Sequence, residues 1–424
     1  MIGRRWAEQF RLSAGLATES VRANPARSGL AITGIVIGIV TVVLVSTVLA
    51  NVRNQIAILF RELGTDNVFA YHLTGDPSSP PSQDEANRLP LEREFADVIA
   101  REAPSISQVA VQIRVPTISN GQPLSARSGS NVSDNVLPEG VSANYFDVVG
   151  AEFAYGRPIT ELEDRAGARV AVLGSSLSEA LFGSQAGATA LGRTILFGGE
   201  SYTVVGVVAP RRGGFFGENR QDSAMSISAG AVVRRFPEAE NVLLYMRSEP
   251  GQLEQAQVDA QAVLRRLRQL SVEEDDDFTL STSEQIIGTF DQVGAGIAAA
   301  TVGLAAVSLL IGGIGIANVM VIAVTERTRE IGVRLAVGAR RAEVQRQFLI
   351  ESALLSLAGG VAGLTVAAGL TALLTLFVPG FLPVLPAWAV AFGLVSSCLT
   401  GILAGYLPAR RAAALDPVEA LRHA

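Results

Sequence analysis

Lysine is missing from this sequence: all 34 basic residues among its 424 are arginines. A nucleotide-binding loop of the form G-x-x-x-x-G-K-[ST] relies on a lysine ammonium to reach the terminal phosphates. These residues contain no such loop, so the chain is not expected to be an enzyme that hydrolyses ATP. Cysteine is nearly missing too. Cys398 is the single one and lies inside an apolar run, which excludes an intrachain disulfide. The two histidines, His72 and His423, have no cluster of Cys, His or carboxylates around them in sequence, so no metal and no cofactor is expected on this chain. Nothing assembles a nucleophile, a base and an orienting group. Ser175–Ser176 follows "VAVLG" at a strand-to-helix turn, but without the G-x-S-x-G elbow. Charge is also scarce, 17% against 49% apolar residues, outside the usual balance of a soluble protein. With a net charge of −6 there is no basic surplus, and no nucleic-acid partner is expected.

What is abundant is long apolar sequence. Four segments, roughly 29–51, 297–323, 349–377 and 386–407, reach the ~20 residues that cross a ~30 Å hydrocarbon layer. Of these only the third holds a charged residue, Glu351, near its start. The first has a basic flank like a signal peptide's, but its apolar core is too long and its helix pattern continues, so it reads as an uncleaved anchor. Arginine placement orients the spans. Segments 1–28, 324–347 and 408–424 hold fourteen arginines against seven acidic residues, whereas 51–290 holds twenty against thirty-one. Both termini and the 324–347 loop are therefore expected in the cytoplasm of a bacterial cell (inner) membrane, and the long segment outside it. In residues 1–28, Trp6, Phe10, Ala17 and Val21 share one helical face while Arg4, Arg5, Arg11 and Arg22 lie off it. That pattern predicts a cytoplasmic helix lying flat in the membrane interface.

Two helices are predicted to outrun the bilayer. Val52, Ile56, Leu59 and Leu63 continue the seam of the first span, and Gly64 ends it. Ile286, Phe290, Val293 and Ile297 lead a second seam into the second span. Steps averaging 3.5 residues mark a coiled coil, here a stalk that extends the helices by roughly 15–20 Å. The organisation expected is a first transmembrane and stalk helix at 29–64, an extracytoplasmic α+β domain at 65–282, and a stalk and second transmembrane helix at 283–323. A cytoplasmic loop at 324–347, the third and fourth spans at 348–407 and a cytoplasmic tail at 408–424 follow. Within the outer domain, strands at 65–73, 106–115, 241–248 and 277–282 and helices at 91–103 and 251–270 are predicted to make one subdomain from both ends of the segment. It encloses an inserted one at about 130–235, with a strand at 169–174 and a hairpin at 194–208 turning on Gly198–Gly199.

The segment "VTERTREIGVRLAVGARRAEV" (324–344) sets a short, charge-dense helix between two apolar runs. Taken as a helix over 325–337, it carries Ile331 and Leu335 on one side and Val333 and Val337 nearly opposite. Glu330–Arg334 and Arg327–Glu330 form favourable pairs between them, and Gly338 stops the helix. Two apolar stripes separated by charge suit a helix gripped between the bundle and a partner; a surface loop obeying the arginine rule fits the geometry nearly as well.

The stretch "NVMVIAVTERTREIGVRLAVGARRAEVQRQFLIESALLSLAGGVAG" (318–363) resembles the signature region of the permeases of MacB/FtsX-type ABC transporters. "NPARSGLAITGIVIGIV", "LGTDNVF", "GVSANYFDVVGAEFAYGRPI", "VAVLGSSLSEALFG", "YTVVGVV" and "PARRAAALDPVEALR" resemble further blocks of that family in the expected order. The resemblance implies a non-catalytic, four-span permease subunit, acting as a homodimer with cytoplasmic ABC ATPases that carry the ATP and Mg. A periplasmic adaptor is a further implied partner, and export or efflux the implied use. ATP-driven motion would pass through the 324–347 loop and the stalk to the outer domain. The motif match puts the coupling role on Glu326, Arg327, Arg329, Glu330 and Arg334; the apolar side of the same helix adds Ile331 and Leu335. MacB itself carries its ATPase ahead of the first span, where 28 residues stand here, so the ATPase is expected on a separate polypeptide. Lipoprotein release and control of cell-wall hydrolases are relatives' activities that fit as well. A membrane-tethered sensor or scaffold without an energised cycle is the alternative of another class. A secondary transporter fits less well, because the spans offer only Glu351 and Asn318 as candidate intramembrane polar sites.

Overall fold

The computed structural model describes residues 25–73, 85, 87–119, 122–183, 187–211, 219–378 and 380–422. The amphipathic helix expected in residues 1–28 lies almost wholly outside them. The described residues form two compact units, 25–51 with 294–422, and 52–293.

The first unit is helical. Four helices are long and apolar enough to cross a membrane: Pro25–Glu62, Ser283–Glu326, Arg341–Phe377 and Ala387–Ala413. The first two, at 38 and 44 residues, are single unbroken helices. At 1.5 Å per residue they measure roughly 57 and 66 Å, about twice a hydrocarbon core. Their packing follows from small residues. A Cβ on Gly34 would stand 2.9 Å from the Gly312 backbone nitrogen, and Gly315 meets Ala31 as closely. The third and fourth helices interlock more tightly still, with a Cβ on Gly401 or Gly405 falling 2.0 Å from the hydroxyl of Ser356 or Ser352. Ile35 and Ile39, fully buried, fill the space left beside Gly359, Gly363 and Gly393. Asn51 closes the end of this unit, accepting from the Leu382 amide at 2.8 Å and donating to its carbonyl at 2.9 Å.

The second unit is built on a sheet. Its strands are β1 (Asn67–Tyr71), β2 (Ile106–Arg114), β3 (Ile118–Ser119), β4 (Gln122–Pro123), β5 (Ala126–Ser128), β6 (Asn131–Ser133), β7 (Leu137–Val141), β8 (Phe153–Gly156), β9 (Val170–Leu173), β10 (Thr194–Phe197), β11 (Glu200–Val208), β12 (Ala224–Ser228), β13 (Asn241–Ser248) and β14 (Thr279–Thr282). Twelve form one mixed sheet in the order β14-β1-β13-β2-β7-β12-β9-β11-β10-β5-β6, with β8 added to β11; β3 and β4 form a separate hairpin. Strands from the two ends of the segment thus occupy one half of the sheet and strands from its middle the other. The halves are one ladder, joined where Gln112–Arg114 of β2 pair with Glu139–Val141 of β7. The expected helices are present but shorter, Phe95–Glu102 and Leu253–Leu267. Gly198 and Gly199 both take positive φ at the β10–β11 turn, as a two-residue hairpin loop requires.

Two apolar cores cover the two faces of the sheet. One packs both helices against β1, β2, β9, β11 and β12. The other is aromatic. Phe60, near the end of the first long helix, contacts Phe69 edge-on at 6.0 Å, and Phe69 contacts Tyr245 at 5.4 Å. Tyr245 contacts Tyr145, Tyr145 contacts Phe146, and Phe146 contacts Phe153, all in edge-to-face geometry at 5.2–5.5 Å. Leu63 and Ile286 join the same core. The ends of both long helices that belong to this unit are therefore fastened to the sheet by packing. Gly64, at φ +94°, follows the first helix end, and Ser283 Oγ donates to its carbonyl at 3.2 Å.

Beneath the aromatic chain lies a buried polar knot. Glu139 accepts hydrogen bonds from Gln112 and Ser226, and Tyr245 donates to Gln112 Oε1 at 2.8 Å. Burial raises the Glu139 carboxyl above its ordinary value, opposed by those two hydrogen bonds and by Arg211 and Arg114. Burial likewise pushes the Tyr245 phenol up to about 12.

Candidate functional site: the charged segment between the second and third spans

The second long helix ends at Glu326. Arg327, at φ −102° and ψ 14°, breaks it, and a new helix runs over Thr328–Ala336. The continuous helix expected from 325 is thus interrupted after its second residue. Thr328 Oγ1 takes up the Val324 and Thr325 carbonyls at 3.0 and 2.9 Å, which the break leaves short of amide partners. The far end follows the sequence closely. Gly338 takes φ +101°, its amide reaches the Leu335 carbonyl and the Ala339 amide reaches that of Arg334, a Schellman stop.

One side of this short helix is docked. Ile331 is 2% exposed and Leu335 packs beside it, in a core shared with Val344 and Phe348 of the third long helix. Gly332 faces the tail helix Pro417–Arg422 so closely that a Cβ would lie 2.7 Å from that of Ala420. The opposite side is open: Glu326, Arg329, Glu330, Val333 and Val337 are exposed, Val337 at 84%. The two apolar stripes read from the sequence therefore have different environments, one covered and one bare.

The charged residues divide in the same way. Glu330 and Arg334 pair along the helix, and Arg334 also donates to Gln347 Oε1 at 2.9 Å. Arg327 turns to Glu351 on the third helix, its Nη1 lying 3.2 and 3.4 Å from the two carboxylate oxygens. Glu351 is 1% exposed. A buried carboxylate without a counter-charge costs several kcal/mol, so Arg327 acts inside the fold at the helix break. Arg327, paired with Glu330 by its spacing in the sequence, thus has a partner on the third helix. The spacing of 24 residues hides the pair; the available signal is that Glu351 alone among the span residues carries a charge. Gln347 and the Gly332–Ala420 contact lie beyond what the sequence pattern predicts.

The stalk-seam residues are less uniform than their spacing. Ile56 is buried; Val52, Leu59, Leu63, Ile286, Phe290 and Val293 are half-buried. Ile297 departs from the expected seam, exposed between the small Ala295–Gly296 and Ala298–Ala300, which offer neighbours little surface to pack on. Arg53 and Asp291 add a two-contact ion pair, at 2.6 and 3.0 Å, between the two long helices.

Comparison with known proteins decides what this assembly is. The MacB-like periplasmic core domain matches residues 28–263, and the FtsX-like permease C-terminal domain matches residues 302–417. The chain belongs to the MacB/FtsX-type permeases. The permease is 32% identical over 424 residues to a macrolide export ATP-binding/permease protein MacB of Bradyrhizobium diazoefficiens, and 31% identical over 421 residues to that of Salmonella typhi. These alignments cover 98% and 99% of this chain and 61% of each relative, so the chain spans about three fifths of the length of the curated relatives it matches. Among solved structures it is similar to the periplasmic region of MacB from Actinobacillus actinomycetemcomitans, at 18% identity and a TM-score of 0.42 over 55% of this chain and 95% of that one. It is also similar to the extracellular domain of the transporter YknZ from Gram-positive bacteria, at 16% identity and a TM-score of 0.39 over 51% and 100%. The family makes the permease a multi-pass membrane protein, with the four apolar helices as its spans and the sheet-based unit outside the membrane.

Proposed function

We propose that the permease is a non-catalytic subunit that receives the motion of a cytoplasmic ABC ATPase outside this sequence and passes it to the extracytoplasmic domain, in the service of export or efflux. The observation that carries this reading is the two-sided helix Thr328–Ala336. Its Ile331–Leu335 side and Gly332 are packed into the fold, while Val333, Val337 and Arg329 stand bare on the other side. An exposed pair of valines rimmed by charge is the composition of a protein-docking surface. Arg327–Glu351 ties the start of the same helix to the third span, so displacement of the helix is passed on to the span. Fastening of the long helices' ends to the outer sheet, through Phe60, Leu63 and Ile286, supports rigid delivery at the other end.

In this reading both termini lie in the cytoplasm, ATP and Mg belong to the ATPase, the working unit is a homodimer, and a periplasmic adaptor extends the path outside. The stalk seam and the Arg53–Asp291 pair hold the two long helices together as they move. Val333→Asp with Val337→Asp tests the docking surface. A detergent-solubilised complex of wild-type permease should retain an ATPase, and the double variant should lose about nine tenths of it or more, with its own melting temperature unchanged. Equal retention by both proteins would refute the assignment.

A further inference from the structure

An exposed leucine ridge on the fourth span ends in two arginines. Leu399, Leu403 and Leu407 follow one another at intervals of four and are exposed, Leu403 at 74%. The next position in that row is Arg411. In the adjacent row the half-exposed Tyr406 is followed, four residues on, by Arg410. Neighbours four apart lie above one another on a helix, so the face changes from hydrocarbon to guanidinium within one turn. From Ala387, where this helix begins, to Arg410 is about 35 Å of helix, against a hydrocarbon core of about 30 Å. Both arginines therefore stand at headgroup depth.

Neither forms an ion pair or side-chain hydrogen bond among the described residues, and the same holds for Arg341 at the start of the antiparallel third helix. The nearest acid in sequence, Asp416, is engaged in accepting from the Val418 amide at 2.8 Å. The helix C-terminus favours positive charge there, but that field uses none of the ten N–H donors of two guanidiniums.

We propose that this ridge is a binding site for an anionic phospholipid, with Arg410 and Arg411 holding the headgroup phosphate and the Leu399–Leu403–Leu407 row lying along an acyl chain. Charge complementarity selects the headgroup, and the continuity of the apolar row with the arginines selects a lipid over a soluble anion. The site does not depend on which side of the membrane faces the cytoplasm or on the docking of an ATPase.

The test uses the full chain in vesicles of phosphatidylcholine with or without phosphatidylglycerol, extracted into mild detergent and weighed by native mass spectrometry. Wild type should retain phosphatidylglycerol over phosphatidylcholine. R410Q/R411Q should reduce that retention roughly tenfold or more, since each arginine contributes about a fivefold preference for an anionic surface. R329Q, which removes an exposed arginine elsewhere, should leave retention unchanged. Equal retention in R410Q/R411Q and wild type would overturn the proposal. So would an equal loss in R329Q, which would make the preference one of bulk charge. Only this chain and lipid are present, so a site for a partner protein would show as no change at all.

Discussion

The two units of this permease are held together by opposite means. In the spans, helices approach until a glycine leaves no room for a Cβ beside serine side chains and backbone, as at Gly401 and Gly405, and the core is made of aliphatic side chains and alanines with Phe348 as its one buried aromatic residue among those described. In the outer domain, large side chains fill the space: Tyr145, Tyr202 and Phe197 are the bulkiest of its fully buried residues. Each unit also buries a glutamate, but Glu351 faces an arginine while Glu139 faces only neutral donors at close range. The difference has a physical source. Between helices in lipid, apolar bulk gains nothing over the acyl chains it displaces, so close approach is what stabilises. In water, removal of apolar surface stabilises, so bulk does.

Adding volume should therefore damage one unit and removing it the other. The largest effect is expected from Gly401→Val, whose Cβ would meet both the Ser356 hydroxyl and the Ser352 carbonyl oxygen, the latter at 2.5 Å and unable to rotate away. We expect loss of monodisperse protein in detergent, with only partial rescue by Ser356→Gly, which relieves the hydroxyl but not the carbonyl. Full rescue would show that side-chain contact alone sets the helix spacing. Tyr145→Ala, in the outer domain, should cost about 3–5 kcal/mol, as other buried aromatic truncations do, and is read from the thermal unfolding of the full chain. A loss below about 1 kcal/mol, the range of a surface substitution, would mean that the aromatic chain is not a stability element.

The smallest effect concerns Glu139 and sharpens the comparison by pH. With its folded-state carboxyl raised, Glu139 contributes most at pH values below the unfolded carboxyl's, near 4.5, and that contribution is lost as pH rises through the folded value. Glu139→Gln removes this loss, so its melting temperature relative to wild type should climb from about pH 5 to about pH 8. A difference independent of pH would indicate that Glu139 stays ionised throughout.

Much of this is legible in the sequence, for reasons that can be named. The four spans, the stop at Gly338 and the Gly198–Gly199 turn all rest on local patterns, either apolar run length or backbone freedom at glycine, while the grouping of strands from both ends of the outer segment rests on a strand–helix–strand set at each end. The two-sided helix Thr328–Ala336 follows from the spacing of Ile331, Leu335, Val333 and Val337. What local spacing cannot reveal are contacts between distant residues: Arg327 with Glu351, Gly332 with Ala420, and the Gln112–Glu139–Ser226 knot. Spacing alone offers Arg327 a partner three residues on, Glu330; the structure gives it a carboxylate 24 residues away, Glu351.

The strand order carries a consequence for how the outer domain is made. β1 has two neighbours in the sheet, β13 and β14, and both are synthesised at least 170 residues after it. The strands of the other half, from β5 to β12, are all present once residue 228 has left the ribosome. That half can close early, while the apolar "NVFAY" of β1, already translated, waits with both edges open. The first strand made is among the last to be paired, so newly made chains are most exposed to mispairing at β1 until the segment around residue 282 arrives.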